Sequence, residues 1–451
     1  MQDPHKPLTT GRALAYAGIG VPLAAIGLPV SVFLSPFYAD EMGLGLSVTG
    51  TVFMLLRFWD LFTDPVMGYL VDRRPSRWGR SKHWLALAVP VLMVATVFLY
   101  MPGEGPATGL YLALCMMVLY VGSTLLQTPH QAWVPFLARN YDERSRLFMW
   151  REILNIAALL SLLILPAVLA IFADMDRAGQ IYVMGWILLV SLPLTVGLAL
   201  KFVPDSPYDP NAKPMDFSPQ AIRDALSSPT IWRVAFVELS IGIAISSTAA
   251  TFLFAAEWGF GIVDLAPLVL LVFFVAGFAA MPGWIWYSKR TEKHIALRTL
   301  CLFSAFAFFL YLPAAMVGSI YALFAAAMVS GFGFGAGFVL ARSMVADLIE
   351  IEEARSGEQR AGLYYSLMTA SYKTGASFAV GVPYLLLGVI VGFDPSGENS
   401  EATVRGLLAV FIGVPVVAYL SAAAAAWNYP VTRAVQAETA SKLAKASPAS
   451  P

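Results

Sequence analysis

Three charged side chains interrupt an apolar segment near the start of the sequence. Arg57, Asp60 and Asp64 stand within Leu56–Pro65, and residues three and four positions apart share one face of a helix. Two carboxylates one turn apart can seat a small hard cation such as Na⁺, and the Thr63 hydroxyl offers a further oxygen. The same pair could carry a proton. The alternative, in which Arg57 only neutralises one aspartate, leaves the other carboxylate unexplained.

Two more ionisable residues stand in apolar segments of the second half. Lys373 is surrounded by neutral residues, and an ammonium in an apolar helix needs an acidic partner. The pair Asp60 and Asp64 is the candidate partner, and such a contact would couple cation occupancy to closing of the two halves. Glu238 is a further candidate, either buried and functional or close enough to a surface to be solvated.

A neutral polar stripe follows in another apolar segment. Ser123, Thr124, Gln127 and Gln131 recur at spacings of three and four, so they face one way on a helix. Their side chains can supply oxygens to a cation or hydrogen bonds to a substrate. His130 lies off this stripe and is expected to be a packing residue or a contact on the cytoplasmic side.

The composition indicates the elements that carry these residues. Of 451 residues, 58% are apolar and 13% are charged, whereas a soluble domain has about 25% charged residues. The 29 basic and 29 acidic residues give a net charge of zero, which gives no indication of nucleic acid as a partner. The two cysteines stand in apolar runs, so neither a disulfide framework nor a CxxC pair is indicated. We therefore expect an all-α protein of the lipid bilayer.

Apolar stretches near the length of a membrane-crossing helix predict twelve transmembrane helices. A proline-rich polar segment at 204–229 divides them into an N-terminal six-helix bundle at 1–203 and a C-terminal six-helix bundle at 230–430. A tail at 431–451 is expected to be disordered. The predicted spans are 15–38, 46–72, 84–101, 108–138, 152–173, 180–203, 231–256, 262–287, 297–316, 319–345, 361–391 and 404–428.

The basic residues predict the orientation of these spans. Lys and Arg cluster between the second and third, fourth and fifth, and eighth and ninth spans, and in the central linker. Short loops rich in Lys and Arg stay in the cytoplasm. The sequence thus predicts a multi-pass protein of the cytoplasmic or plasma membrane with both termini cytoplasmic.

Combined, these motifs resemble the glycoside-pentoside-hexuronide:cation symporters, the melibiose permease family within the major facilitator fold. The second span and its following loop carry most of the resemblance, and further matches recur across the chain. The matching positions are Arg57, Trp59, Asp60, Asp64, Pro65, Gly68, Asp72, Ser76, Arg77, Trp78, Gly79, Arg80, Trp84, Pro129, Val134, Pro135, Arg144, Leu147, Arg151, Ala346, Asp347, Glu350, Glu353, Gly357, Arg360, Gly362, Tyr365, Ser366 and Lys373.

The resemblance implies roles for individual residues. Asp60 and Asp64 correspond to the aspartates of the family's cation site, Thr63 and Thr124 to neighbouring oxygen ligands, and Lys373 to the lysine beside that site. Gln127 occupies the position of a further acidic ligand. The implied cytoplasmic gate comprises Gly68, Asp72, Arg77, Gly79 and Arg80 in the first half and Asp347, Glu350, Glu353 and Arg360 in the second.

Departures from the family pattern bear on the substrate. Leu23 and Ala24 stand where sugar-transporting members carry a Lys-Asp pair, and Gln127 and Gln131 replace an aspartate and an aromatic residue, while Phe338 retains an aromatic position. A polyol would lose charge-assisted hydrogen bonds of about 1.5–3 kcal/mol each. We expect a less hydroxylated or amphipathic solute, or an anion that pairs with Arg57, Arg151 or Lys373.

These observations predict a secondary active transporter that couples Na⁺ or H⁺ to symport of a small organic solute by alternating access. Expected substrate contacts are Gln127, Gln131, Arg151 and Phe338. We expect no enzymatic activity, no cofactor beyond the coupling cation, and a monomer in the membrane. The alternatives are transport or export of an amphipathic or acidic solute without strict coupling, and a non-transporting membrane protein.

Overall fold

The computed structural model describes most of the chain. The described residues are 9–73, 76, 78–79, 81–103, 105–137, 141–173, 175–204, 223, 226–262, 265–356, 361–432 and 434–435. The predicted tail and linker lie largely outside these ranges, as do Arg77, Arg80 and Arg360 of the predicted gate.

The chain divides into two compact units, which are described separately. The first comprises Met1–Ala212, Val263–Leu268 and Gly388–Asn399. Its helices are α1 (Thr10–Ala17), α2 (Gly20–Leu28), α3 (Leu34–Ala39), α4 (Leu46–Arg73), α5 (Lys82–Tyr100), α6 (Gly109–Leu137), α7 (Tyr141–Ala173) and α8 (Arg177–Phe202).

The second unit comprises Lys213–Ile262, Val269–Leu387 and Ser400–Pro451. Its helices are α9 (Pro229–Phe254), α10 (Ala266–Arg290), α11 (Lys293–Phe309), α12 (Tyr311–Val317), α13 (Ile320–Gly331), α14 (Ala336–Ser356), α15 (Ala361–Leu385) and α16 (Glu401–Ala425). Short π-helical stretches, Ala255–Gly259 and Leu386–Val391, continue α9 and α15. The first residues of α10, 266–268, and the end of the second stretch, 388–391, are assigned to the first unit.

The all-helical membrane architecture agrees with the sequence prediction at the level of fold class. Within the described residues, eleven helical segments are long and apolar enough to cross a membrane, and extended pairing is limited to an isolated bridge between Ser76 and Gly79. The predicted span at 152–173 lies within α7, which is not among the eleven. The count of twelve stays a prediction.

Several predicted spans are interrupted rather than continuous helices, among them the ninth, in which α11 ends at Phe309 and α12 begins at Tyr311. In the first, Pro29–Phe33 forms a π-helical turn between α2 and α3. In the tenth, the helix stops after Gly331 and restarts at Ala336, and Gly335 adopts a φ of 79°, which favours glycine. The Trp284 indole donates to the carbonyl of Phe332 at 2.8 Å, which satisfies a backbone group that the interruption leaves free of the helix ladder.

Backbone contact between glycine-bearing helices shapes the core of the second unit. A Cβ atom on Gly242 of α9 would lie 2.5 Å from the carbonyl oxygen of Tyr372, and one on Gly375 of α15 would lie 2.1 Å from that of Leu239. Small residues allow membrane helices to approach this closely. The crossing therefore brings the middle of α9 directly against α15.

Candidate functional site

The acidic pair of the first unit lies on α4 opposite a threonine of α6. Thr124 Oγ1 lies 3.2 Å from Asp60 Oδ1 and 3.2 Å from Asp64 Oδ1. A hydroxyl has one proton, so it can donate to one of the two carboxylates at a time. Both aspartates are half-buried, and Thr124 is 3% exposed. The structure thus brings three oxygen-bearing side chains of two helices to one point, in the arrangement that the family resemblance implied for Thr124.

Thr63 and Arg57, two other predicted members of this group, also make hydrogen bonds within the first unit. The hydroxyl of Thr63 donates to the backbone carbonyl of Asp60 at 3.1 Å, so its proton is directed along its own helix. The guanidinium of Arg57 donates from Nη2 to Ser31 Oγ at 3.3 Å. Ser31 belongs to the π-helical turn after α2. It was missed from the sequence, although the nearby Pro29 signals an irregular helix.

The two glutamines predicted to contact substrate lie along α6. Gln127 and Gln131 are both exposed, at positions three and seven residues beyond Thr124. Polar side chains within a membrane-crossing helix face the bundle interior or a water-filled cavity rather than lipid. The structure therefore places two exposed amides on α6 beyond Thr124, with Gln127 the nearer to it along the helix.

Arg151 and His130 lie at the packing between α2, α6, α7 and the first helix. A Cβ on Gly20 of α2 would meet the Arg151 carbonyl oxygen at 3.3 Å and its Cγ at 3.6 Å, and Arg151 is half-buried. His130 is fully buried. Its ring lies 4.2 Å from that of Tyr16, and its Nε2 lies 3.0 Å from the Tyr16 carbonyl oxygen. His130 is thus a packing residue, one of the two readings that the sequence left open.

A second polar cluster, in the other unit, surrounds Arg342 of α14. Its Nε lies 3.0 Å from Glu238 Oε1 on α9, and its Nη2 donates to Thr369 Oγ1 on α15 at 3.1 Å. The guanidinium carbon lies 4.8 Å from the ring centroid of Phe338, one turn away on the same helix. Phe338 and Glu238 are among the residues predicted from the sequence, whereas Arg342 was missed, although an arginine in a predicted span is itself a signal.

Lys373 lies on α15 of the second unit, and its predicted pairing with Asp60 and Asp64 stays a prediction. Lys373 follows Tyr372 and precedes Gly375 by two residues, so it belongs to the part of α15 that packs against Gly242 of α9. Its role in coupling is equally a prediction from the resemblance.

Asp347 is the charged residue of the predicted gate whose contacts the structure describes. Lys293 Nζ lies 2.5 Å from Asp347 Oδ1. Gly79 adopts a φ of 110°, in the region that favours glycine. Gly68 and Asp72 lie on α4, and Glu350 and Glu353 lie on α14. The gate as a whole stays a prediction.

Comparison with known proteins places these features in a family. The sequence model described as "MFS/sugar transport protein" matches residues 15–433. The isoprimeverose transporter of Lactiplantibacillus pentosus is 23% identical over 90% of this chain and 85% of its own length. A glucuronide carrier protein homologue of Escherichia coli (strain K12) is 22% identical over 89% of this chain and 88% of its own length.

A solved structure of a D-xylose-proton symporter shares the fold, with a TM-score of 0.64 and 17% identity over 94% of this chain and 97% of that one. These relatives and structural neighbours are transporters, which confirms the prediction of a transport protein rather than an enzyme. The chain therefore belongs to the MFS/sugar transport family and is a membrane transporter related to the glycoside-pentoside-hexuronide:cation symporters.

Proposed function

We propose that this transporter is a cation-coupled symporter of a small organic solute, and that Asp60, Asp64 and Thr124 hold the coupling cation. The observation that carries the proposal is the Thr124 hydroxyl oxygen, which lies 3.2 Å from a carboxylate oxygen of each aspartate. Oxygen ligands of this kind suit a hard cation. Thr63 and Gln127 are proposed as further oxygens, and Arg57 and Lys373 as coupling charges.

The charge and burial of the pair favour reversible cation binding. Two carboxylates close together repel each other, and a cation or a proton relieves that repulsion. Both aspartates are half-buried, so an ion can exchange with water without unpacking the core. The neutral Gln127 removes one charge from the family pattern, which slightly favours H⁺ over Na⁺. Cation binding then favours solute binding, and the loaded protein changes access from one side of the membrane to the other.

The substrate class follows from the chain's own residues, because the relatives are named for different solutes. The isoprimeverose transporter is named for a sugar, and the glucuronide carrier homologue is named for a sugar acid conjugate. Here the exposed polar groups of α6 are the neutral amides of Gln127 and Gln131. We propose a less hydroxylated, amphipathic or acidic solute rather than a melibiose-like sugar, with Arg151 and Phe338 among its contacts.

The proposed topology has twelve transmembrane helices in two six-helix bundles and both termini in the cytoplasm. Eleven spanning segments among the described residues support it, as does the positive charge of the alternate loops. Single cysteines introduced in the loops at 101–108 and 289–293 test this topology. In intact cells, a reagent that does not cross the membrane should label the first loop and not the second.

The cation site can be tested without knowing the solute. In purified protein, Na⁺ in place of choline, or a lower pH, should raise the melting temperature of the wild type. Asp60→Asn and Asp64→Asn should each remove that response while the protein stays folded. Glu401→Gln is the matched control, because Glu401 forms an exposed ion pair with Arg405 on α16. An unchanged response in both aspartate variants would exclude the site.

A further inference from the structure

The pair formed by Glu238 and Arg342 is a buried charge contact that the proposed cation site does not use. The side chain of Glu238 is 0% exposed and that of Arg342 is 21% exposed, and Arg342 Nε lies 3.0 Å from Glu238 Oε1. Both residues stand in segments long and apolar enough to cross a membrane. An ionised group at such a position is costly unless it is paired, and it marks a functional site by default.

The contact has ion-pair distance without hydrogen-bond geometry. Among the residues that the structure describes, neither Glu238 Oε1 nor Oε2 has a hydrogen-bond donor and Arg342 Nε has no acceptor in hydrogen-bond geometry, although Nε and Oε1 are 3.0 Å apart. At this distance the guanidinium and the carboxylate attract each other as an ion pair, and charge rather than an aligned hydrogen bond dominates the contact. A fully buried carboxylate with no donor is stable only while the guanidinium faces it or while it carries a proton.

The helices packed against α9 supply the surroundings of this carboxylate. Arg342 of α14 is the charged group in contact with it. The other titratable groups on the helices packed against α9 include Tyr365, Tyr372 and Lys373 of α15 and Tyr419 of α16. Tyr365 lies beside Arg342, while Glu257 stands about five turns further along the chain.

The opposite edge of the Arg342 guanidinium is within reach of a solute. Its Nη2 donates to Thr369 Oγ1 at 3.1 Å, and Nη1 lies 3.5 Å from the Tyr365 carbonyl oxygen. The group stacks on Phe338, which is 38% exposed. Arg342 has four Nη–H donors, which is more than these two acceptors use. Because polar side chains in a span line a water-filled cavity rather than face lipid, this edge can receive an acceptor with an apolar part lying near Phe338.

We propose that Glu238 and Arg342 form a proton-controlled anion site, in which a carboxylate of the solute replaces the Glu238 carboxylate as the partner of Arg342. A proton from water binds a Glu238 oxygen, the ionic contact to Arg342 is broken, and the solute carboxylate forms the new contact. One proton and one anion enter together, so the net charge of the site is zero before and after. No other reactant is needed.

This inference rests on the proposed function as a solute transporter and adds a second, independent coupling site. Glu238 is too enclosed to take an ion with a hydration shell, but a proton needs no added volume. Arg342 determines specificity for an anion, and Glu238 is the residue that proton uptake switches. An anion cannot bind Arg342 well while Glu238 is ionised, because two carboxylates would then share one guanidinium.

Proton binding and anion binding are then linked, and this linkage fixes the direction in which pH changes the affinity for the anion. Since the proton promotes anion binding, affinity for the anion falls as pH rises, by up to about tenfold per pH unit while Glu238 is ionised in the free protein. Glu238→Gln removes the carboxylate charge permanently. In that variant the anion should bind about equally well at every pH and should no longer bring a proton with it.

The experiment uses the full chain in proteoliposomes that contain a pH-sensitive dye. The probes are phenyl β-D-glucuronide, benzoate and octanoate, each compared with its neutral counterpart, phenyl β-D-glucoside, benzamide and octanamide. In the wild type, at least one anion added outside should acidify the lumen faster than in protein-free liposomes, where the neutral acid crosses by diffusion, and should bind more tightly at low pH. Glu238→Gln should reduce acidification to the protein-free rate but keep exchange of the labelled anion, and Arg342→Gln should weaken anion binding at least tenfold.

Infrared difference spectra give a readout that does not depend on transport. The carbonyl band of a protonated buried carboxylic acid should grow as the pH is lowered or the anion is added, and it should be absent in Glu238→Gln. Glu401→Gln, which alters an exposed pair of the same residue types, should change nothing. The inference is overturned if the wild type lacks the band, if no anion is preferred to its neutral counterpart, or if the preference survives in Arg342→Gln.

The two proposals fail separately. Asp60→Asn and Asp64→Asn should leave the Glu238 band and its response to the anion intact, because those residues lie in the other unit. Glu238→Gln should leave the Na⁺-dependent rise in melting temperature intact where the wild type shows one. A lost Na⁺ or pH response with an intact band would therefore count against the first site alone, and the reverse against the second alone.

Discussion

In the first unit, two half-buried carboxylates share one threonine hydroxyl, whereas in the second a single fully enclosed carboxylate faces a guanidinium. Asp60 and Asp64 are only half-buried, so a cation can reach their oxygens without displacing packed atoms. Glu238 is 0% exposed, and any occupant larger than a proton would have to displace packed atoms. The carboxyl group is the same in both places, so burial and neighbouring charge set what each can bind.

Replacing the arginine of each site, Arg342 or Arg57, should give the largest difference in stability between the two units. Arg342→Met leaves the Glu238 carboxylate enclosed and uncompensated, and breaking a buried pair costs about 3–5 kcal/mol. The carboxylate must then take up a proton to stay buried. The loss should therefore grow with pH, by up to about 1.4 kcal/mol per pH unit.

Arg57→Met in the first unit should cost less, because Asp60 and Asp64 are within reach of water. Arg405→Met, which breaks an exposed pair on α16, should cost little or nothing. Thermal stability of the purified variants at several pH values measures all three. If Arg342→Met is no more harmful than Arg405→Met, the enclosed pair is not held as described.

Glycines near the two sites offer a second contrast, in packing. Gly375→Ala would place a Cβ 2.1 Å from the backbone oxygen of Leu239, whereas Gly122→Ala in the first unit would place one 2.7 Å from the Leu92 side chain. A backbone cannot move aside without shifting a helix, but a leucine can change rotamer. Gly375→Ala should cost about 1–3 kcal/mol or more, and Gly122→Ala should cost less.

The control is Gly413→Ala on α16, where an added Cβ meets no atom within 4 Å. That change should be neutral or slightly stabilising, since alanine favours a helix over glycine. Thermal melting of the three variants ranks their stabilities. Equal melting of Gly375→Ala and Gly413→Ala would contradict the close crossing of α9 and α15.

The sequence anticipated the first site better than the second, for a physical reason. Asp60 and Asp64 are one turn apart on one helix, and Thr124 belongs to a polar stripe of the same period, so local geometry alone predicts their faces. The contact of Glu238 with Arg342 joins residues far apart in the sequence. It depends on how α9, α14 and α15 cross, and glycine contacts set that crossing.

The hydrophobic pattern of the sequence could not predict the irregular turns either. The first and tenth spans are as apolar as the rest, so hydropathy predicts continuous helices. Pro29 and Gly335 instead begin or end a local change of backbone geometry. The π-helical turn at Pro29–Phe33 presents Ser31 to Arg57, a contact that a regular helix pattern does not reveal. At the interruption in the tenth span, a Cβ added to Gly331 would lie 2.3 Å from the carbonyl oxygen of Phe273, so the glycine permits close packing there.

Thr124→Val should give the smallest effect of the series, confined to the first unit. Valine keeps the shape of threonine but lacks the oxygen that lies 3.2 Å from both Asp60 and Asp64. A hydrogen bond to a charged group contributes about 1.5–3 kcal/mol, so the lower bound corresponds to roughly tenfold weaker binding of the coupling cation. Folding should be almost unchanged, because the aspartates can still reach water.

Titration of the cation-dependent melting temperature measures the shift, and Thr124→Ser, which keeps the hydroxyl, is the matched control. Both variants should leave the response of Glu238 to pH unaltered, because the two groups lie in separate units. If Thr124→Val and Thr124→Ser bind the cation equally well, the hydroxyl is not a ligand, and the first site reduces to the two carboxylates. Its difference from the second unit would then rest on exposure alone and not on a shared oxygen.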